Sequence, residues 1–328
     1  MVCADTLSNR IDAKMEQTSM RPDHPNIVLD PLEIEQRSEA IVQRLQEAES
    51  GAAEFLDAYR LAHRSWPADW PYNRVPPAVQ ILLRSAEARK QGFVTLVHKA
   101  VLLTGLVEQR RVHSQHPAWR LALSSFDEAA SQIALSCDEP RSGELSYPDD
   151  NFAKDVAIAT GRGWGVDGLF FEAHRGIERS RVLRAGVAAT VDLIRATMRG
   201  RGTRPAYEHH VYGRLLHRFT PEGRMNAYRV VAEAIAHDTS ARGILGTAWY
   251  YDPAVAKISP RLAYLRQLPE ARGAIFLKVE TSQSDAASAV SKSENRRRLF
   301  ESGQYRPQAF TLFWPRKALL AWRRAGYP

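Results

Sequence analysis

The residues best equipped for chemistry lie in the second half of the chain. Glu208, His209 and His210 follow one another in a run, 206–216, that alternates in strand fashion. Successive strand residues face opposite sides, so Glu208 and His210 share one face while Tyr207 and His209 share the other. An imidazole beside a carboxylate can be tuned as a general base, which makes Glu208 and His210 the candidate proton-transfer pair. The same pattern also describes a sheet with one helix-packed and one polar face, and the sequence leaves both readings open.

A second constellation follows in 241–267. An apolar strand runs into Trp249, Tyr250 and Tyr251, stops at Asp252-Pro253, and gives way to a short helix bearing Arg261 and Tyr264. Strand ends are where open α/β sheets bind ligands. The three aromatics and Asp252 are therefore expected to line a substrate pocket, with Arg261 and Tyr264 one helical turn apart beside it. Arg261 would hold a carboxylate or phosphate with two parallel hydrogen bonds, or would pair with Asp252 and fix the loop.

Other polar motifs read more plainly. Gly161-Arg162-Gly163-Trp164-Gly165 offers backbone amides to a phosphate but matches no nucleotide-loop spacing, so a simple turn is expected. His113 and His116 have ligand-like spacing with no Cys or carboxylate at a metal interval; surface histidines are expected, and no metal site. Trp66 and Trp70 sit in a proline-rich loop, 65–77, as anchors or as an aromatic lip for a partner. Arg296, Arg297 and Arg298 read as a solvated helix face.

The elements that must position these groups follow from periodicity. Residues 1–30 are polar and aperiodic and read as a tail. Helical spacing then recurs through 31–140, with Pro31 at a first turn and Gly51 as an interruption, giving a helical domain. Turn formers at 137–150 mark a boundary. From 150 to 328 strands and helices alternate: strands are expected at 166–173, 206–216, 243–250, 274–279 and 308–314, with helices between them. Thr220-Pro221 caps the helix after the second strand. The fold class is α+β or α/β, a helical N-terminal domain followed by a mixed sheet covered by helices.

With 328 residues, 44% of them apolar, the chain can bury a sizeable core. The formal charge of +8 is carried mainly by dispersed arginine, with no aromatic-basic stripe, which argues against a nucleic-acid partner. Two cysteines, Cys3 and Cys137, fit a reducing compartment, and no apolar run approaches a membrane span. A soluble cytoplasmic protein is expected.

Residues 293–305, SENRRRLFESGQY, with the strand QAFTLFW after them, resemble the fourth helix and following strand of the GCN5-related N-acyltransferase (GNAT) family. There a helix ending in Leu-Tyr-Glu-x-x-Gly-Phe leads into the last strands. The resemblance implies a GNAT-like sheet, acyl-coenzyme A as donor, an amine acceptor and direct acyl transfer. Phe300 stands where that family has its general-acid tyrosine. The family's pyrophosphate signature at a helix start is absent; 162–167 comes nearest to it. The sequence thus points to a small-molecule enzyme of acyltransferase-like architecture with altered donor or chemistry. The alternative is a non-catalytic protein that binds a partner or a second copy of itself.

Overall fold

The computed structural model describes residues 27–67, 70–89, 91–138 and 145–326. Residues 1–26, most of the expected tail, lie outside them. Leu29 is already buried, and its amide donates to Ser131 Oγ. The Asp30 side chain caps the first helix by accepting from Leu32 N.

Among the described residues seven helices come first: α1 (Pro31–Ala48), α2 (Ala52–Arg64), α3 (Pro77–Glu87), α4 (Phe93–Gln115), the single turn α5 (Pro117–Arg120), α6 (Leu123–Asp138) and α7 (Asp150–Ala159). The α4 helix is apolar on several sides because α1, α6 and α7 all pack around it. One of those contacts is very close. A Cβ on Gly105 of α4 would stand 2.3 Å from the Ala159 carbonyl oxygen at the end of α7.

The sheet follows: β1 (Gly163–Val166), β2 (Leu169–Arg175), helices α8 (Arg179–Arg184) and α9 (Val187–Gly200), β3 (Ala206–Val211), α10 (Pro221–His237), β4 (Gly243–Ala248), helices α11 (Val255–Ile258) and α12 (Tyr264–Glu270), β5 (Ile275–Val279), helices α13 (Gln283–Ser291) and α14 (Glu294–Glu301), β6 (Ala309–Pro315) and the terminal α15 (Arg316–Arg324). Strand order is β1-β2-β3-β4-β6-β5. Every neighbouring pair is antiparallel except β3 and β4, which α10 joins as a parallel crossover. This is the expected mixed sheet covered by helices.

Alternation sorts the sheet residues onto two faces. Tyr207, Ile244, Leu312 and Trp314 pack against α10 and α15 on one face. Ala206, Leu245, Leu277 and Phe313 pack against α8 and α9 on the other. The helical half joins the molecule through Phe170, Tyr212 and Leu215, which belong to its own apolar cluster. Because Phe170 lies opposite His210 in register, that contact falls on the same face as α8 and α9. One face of β2 and β3 therefore runs along the seam between two groups of helices.

Several elements differ from expectation for local reasons. The single strand expected at 166–173 is a hairpin: Asp167 and Gly168 both take positive φ, 44° and 81°, and fold the chain back between β1 and β2. Of the Gly-rich 161–165 segment only Gly161 and Arg162 form the expected turn; Gly163, Trp164 and Gly165 belong to β1, so it is no strand-to-helix phosphate loop. Trp249–Tyr251 leaves the strand as a 3-10 turn. The helix expected at 288–302 is broken at Ser293, whose hydroxyl accepts from Arg296 N and starts α14 afresh. Arg296 is buried, its guanidinium 4.6 Å from the Trp249 ring, so only Arg297 and Arg298 of that run are solvated. His113 is also buried, stacked on Phe126 at 4.4 Å.

Replacing Gly105 by Ala should lower stability by about 1–3 kcal/mol, the usual cost of overpacking against a backbone that cannot yield. Denaturant titration of the purified variant checks this; an unchanged midpoint would contradict the close α4–α7 contact.

Candidate functional site

The seam between the helix groups holds a polar set in an otherwise apolar face. Glu172 of β2 lies directly opposite Glu208 of β3, and Phe170 opposite His210. Two carboxylates in cross-strand register repel each other unless a cation intervenes. That cation is Arg175, whose Nε lies 3.0 Å from Glu208 Oε2 and 3.6 Å from Glu172 Oε1. A regular strand would send residues 172 and 175 to opposite faces. The register shifts by one residue between them, and this bulge returns Arg175 to the carboxylate side.

His210 Nε2 is 3.2 Å from Glu172 Oε1. Its other ring nitrogen has no partner among the described residues. The loop residue Tyr72 closes the set from above. Its backbone amide donates to Glu172 Oε2 at 3.0 Å, its ring meets the His210 ring edge-on at 5.0 Å, and its hydroxyl donates to Asp150 at 2.6 Å. The His210 side chain is 28% exposed and the Glu172 side chain 5%. An accessible imidazole backed by a buried carboxylate is the arrangement of an oriented general base.

The opposite face of β3 is different in kind. His209 Nε2 lies 2.7 Å from Tyr251 Oη, and Arg224 of α10 donates Nη2 to both. The ring lies over Gly246 of β4, where a Cβ would come within 2.3 Å of it. Burial first, and the Arg224 charge second, hold His209 well below the usual histidine range. Burial also pushes His63 down to about 3 and His98 down to about 4. These three imidazoles are enclosed and stay neutral.

The structure gathers Glu208 and His210, adding Glu172, Arg175 and Tyr72. Glu172 has a visible signal in the sequence, a lone charge just after Leu169-Phe170-Phe171. The residues of the Tyr-Asp-Pro corner go elsewhere. Tyr250 and Asp252 line a cleft of about 170 Å³ with Pro253, Ala256, Ala263, Arg266, Gln267 and Glu270. Tyr251 is buried against His209 on the face of β3 away from Glu208 and His210. Trp249 lies under Arg296, and the Tyr264 hydroxyl donates to the Phe219 carbonyl at 3.1 Å. Asp252 accepts from the amides of Ala254 and Gln308, so it fixes the loop without Arg261. Arg261 is exposed. The arginine that serves this corner is Arg266, which donates to the Tyr251 carbonyl at 2.7 Å.

Ligand atoms of Glu172, Glu208 and His210 lie within 4.8 Å of one another, a donor set that suits a divalent cation. Arg175 already lies against both carboxylates and offsets one of their two charges, which favours proton transfer over metal binding. The pyrophosphate of coenzyme A would be expected at the start of the crossover helix α10. That start is already filled: Thr220 accepts from Gly223 N, and a Cβ on Gly223 would stand 2.1 Å from the Arg218 carbonyl. Glu222 occupies the first turn, while buried Asp167 and Glu128 take up Arg218 and His217. Those residues do not fit a pyrophosphate.

No family model matches the chain, and no curated protein does. Two solved structures are similar to it. One is an acyltransferase mutant in complex with octanoyl-CoA, at 11% identity and TM-score 0.39, covering 85% of this chain and 100% of that one. The other is an acyltransferase in complex with CoA and 10C-teicoplanin, at 12% identity and TM-score 0.39, covering 88% and 100%. A likeness of this size transfers no residue roles, so the site stands on this chain's own geometry.

The buried imidazoles set an acid limit. Their folded pKa values lie below the unfolded value of about 6.5, so the unfolded chain binds more protons between the two. Stability is full above pH 6.5 and should fall by about 1.4 kcal/mol per pH unit for each of His63 and His98 as pH drops toward 4. Urea titrations between pH 7 and 4.5 measure the slope; a flat profile would contradict neutral burial.

Proposed function

We propose that this chain is a small-molecule enzyme of acyltransferase-like architecture in which His210 is the general base. The carrying observation is the 3.2 Å contact between half-exposed His210 Nε2 and buried Glu172. Glu172 fixes the ring, which leaves Nδ1 to take a proton from an acceptor amine as its nitrogen bonds to the acyl carbon of a thioester; the carbon–sulfur bond then breaks and the departing thiolate takes up a proton to leave as the free thiol. Glu208 and Arg175 set the charge around that ring. The small-molecule substrate enters along the seam between the helical half and α8–α9. Coenzyme A does not fit at the α10 start, so the acyl donor is held by some other part of its structure.

The reading is tested by screening acyl thioesters against amine pools with free-thiol release as the readout. His210→Gln and Glu172→Gln should each lower kcat by about 10²–10⁴ while circular dichroism stays unchanged. Equal turnover in His210→Gln would refute the base assignment. An acyl-pantetheine donor, which lacks the nucleotide, should give a kcat/KM within about threefold of acyl-CoA, since each threefold step is only about 0.65 kcal/mol. A loss of 100-fold or more would show that the pyrophosphate is recognised after all.

A partner-binding role has one observation behind it. Trp66 and Trp70 do not supply it, because Arg162 and Arg74 cover their rings and Trp66 is buried. The stripe Val187, Val191, Ile194 and Met198 on α9 does, with Val187 82% and Met198 76% exposed. If docking is the function, Val191→Asp with Ile194→Asp should abolish complex formation in sedimentation velocity, and His210→Gln should leave it intact. Among the described residues no helix is long and apolar enough to cross a membrane.

A further inference from the structure

Arg224 is 1% exposed and pairs with no carboxylate among the described residues. Its Nε donates to Tyr228 Oη at 2.9 Å, and its Nη2 to His209 Nε2 at 3.0 Å and to Tyr251 Oη at 2.5 Å. Its Nη1 is buried and has no hydrogen-bond partner among the described residues. The rings of Tyr228, Phe219 and Tyr250 lie 5.1, 5.3 and 5.9 Å from the guanidinium carbon. A guanidinium keeps its charge at any ordinary pH, so the core encloses a permanent cation with one idle nitrogen. Such groups are costly, and a buried nitrogen left without a partner calls for an explanation.

The completing group has a route. Tyr250 lines the cleft of about 170 Å³, and its ring centroid is 5.9 Å from the Arg224 guanidinium carbon. Its hydroxyl makes no hydrogen bond among the described residues, and its ring is held by edge contacts with Tyr251, Trp249 and Phe219 at 4.8, 5.6 and 6.2 Å. The cleft is lined besides by Asp252, Pro253, Ala256, Ala263, Gln267 and Glu270, and by Arg266, which pairs with Glu270.

We propose that Arg224 is the receptor for a small monocarboxylate with an aliphatic or aromatic body, which enters through this cleft, turns Tyr250 aside and takes the idle Nη1. One guanidinium balances one negative charge; a phosphate dianion would bring a second charge into the core with no cation left for it. Arg224 lies on the face of β3 away from His210, and this assignment does not rest on the general-base reading.

Sodium benzoate, titrated at matched ionic strength against sodium chloride and sodium phosphate, tests it by thermal shift and calorimetry. Benzoate should bind the wild-type protein saturably, and Tyr250→Ala at least threefold more tightly. Arg224→Met should lose benzoate affinity at least tenfold, with a ligand-free melting temperature no lower than wild type. Arg224→Lys, which keeps the charge without the fork, should bind at least fivefold more weakly. Absence of saturable binding in both wild type and Tyr250→Ala overturns the proposal, as does phosphate binding as tightly as benzoate. Undiminished benzoate binding in Arg224→Met overturns it too. If that variant does not fold, undiminished binding in Arg224→Lys overturns it in its place.

Discussion

The placement of Glu172 directly across from Glu208 is the constraint that organises this molecule. Two carboxylates at cross-strand distance cannot share a half-buried face without a cation, and the nearest arginine along the chain has the wrong parity to supply one. The bulge in β2 resolves the conflict by adding a single residue, which brings Arg175 round to bond Glu208. With one of the two charges offset by Arg175 and the Tyr72 amide donating to Glu172, that carboxylate can remain buried and still present an oxygen to His210.

The parallel junction of β3 and β4 separates the polar chemistry into two compartments. Their register holds at Tyr207 with Ile244 and at Glu208 with Leu245. Beyond that point adjacent histidines part company. His210 turns toward the seam under Tyr72, while His209 turns into the tyrosine-lined core over Gly246. Neighbours in sequence therefore sit in unlike surroundings, because one keeps contact with water and the other does not.

Much of this is legible in the chain. Period-2 alternation places Glu208 and His210 on one face, and Thr220-Pro221 marks the start of α10. What cannot be read are relations between strands. No pattern within 169–175 announces that its charged residues will stand opposite residue 208, and Tyr72 reaches the site from 100 positions away. Arg261 stands out over Arg266 only when helical phase is counted from Ser259-Pro260. The chain first makes a 3-10 turn there, and α12 resets the phase at Tyr264. The Asp167-Gly168 hairpin signal is present but sits inside an apolar run long enough to pass as one strand.

The clasp formed by Tyr72 ties the helical half to the sheet. Its amide and ring hold a carboxylate and an imidazole that belong to the sheet, while its hydroxyl reaches Asp150 at the start of α7. The helical half is thus no detachable appendage: without the loop that carries Tyr72, the strands would keep Glu172 and His210 but lose the amide and the ring packed on them.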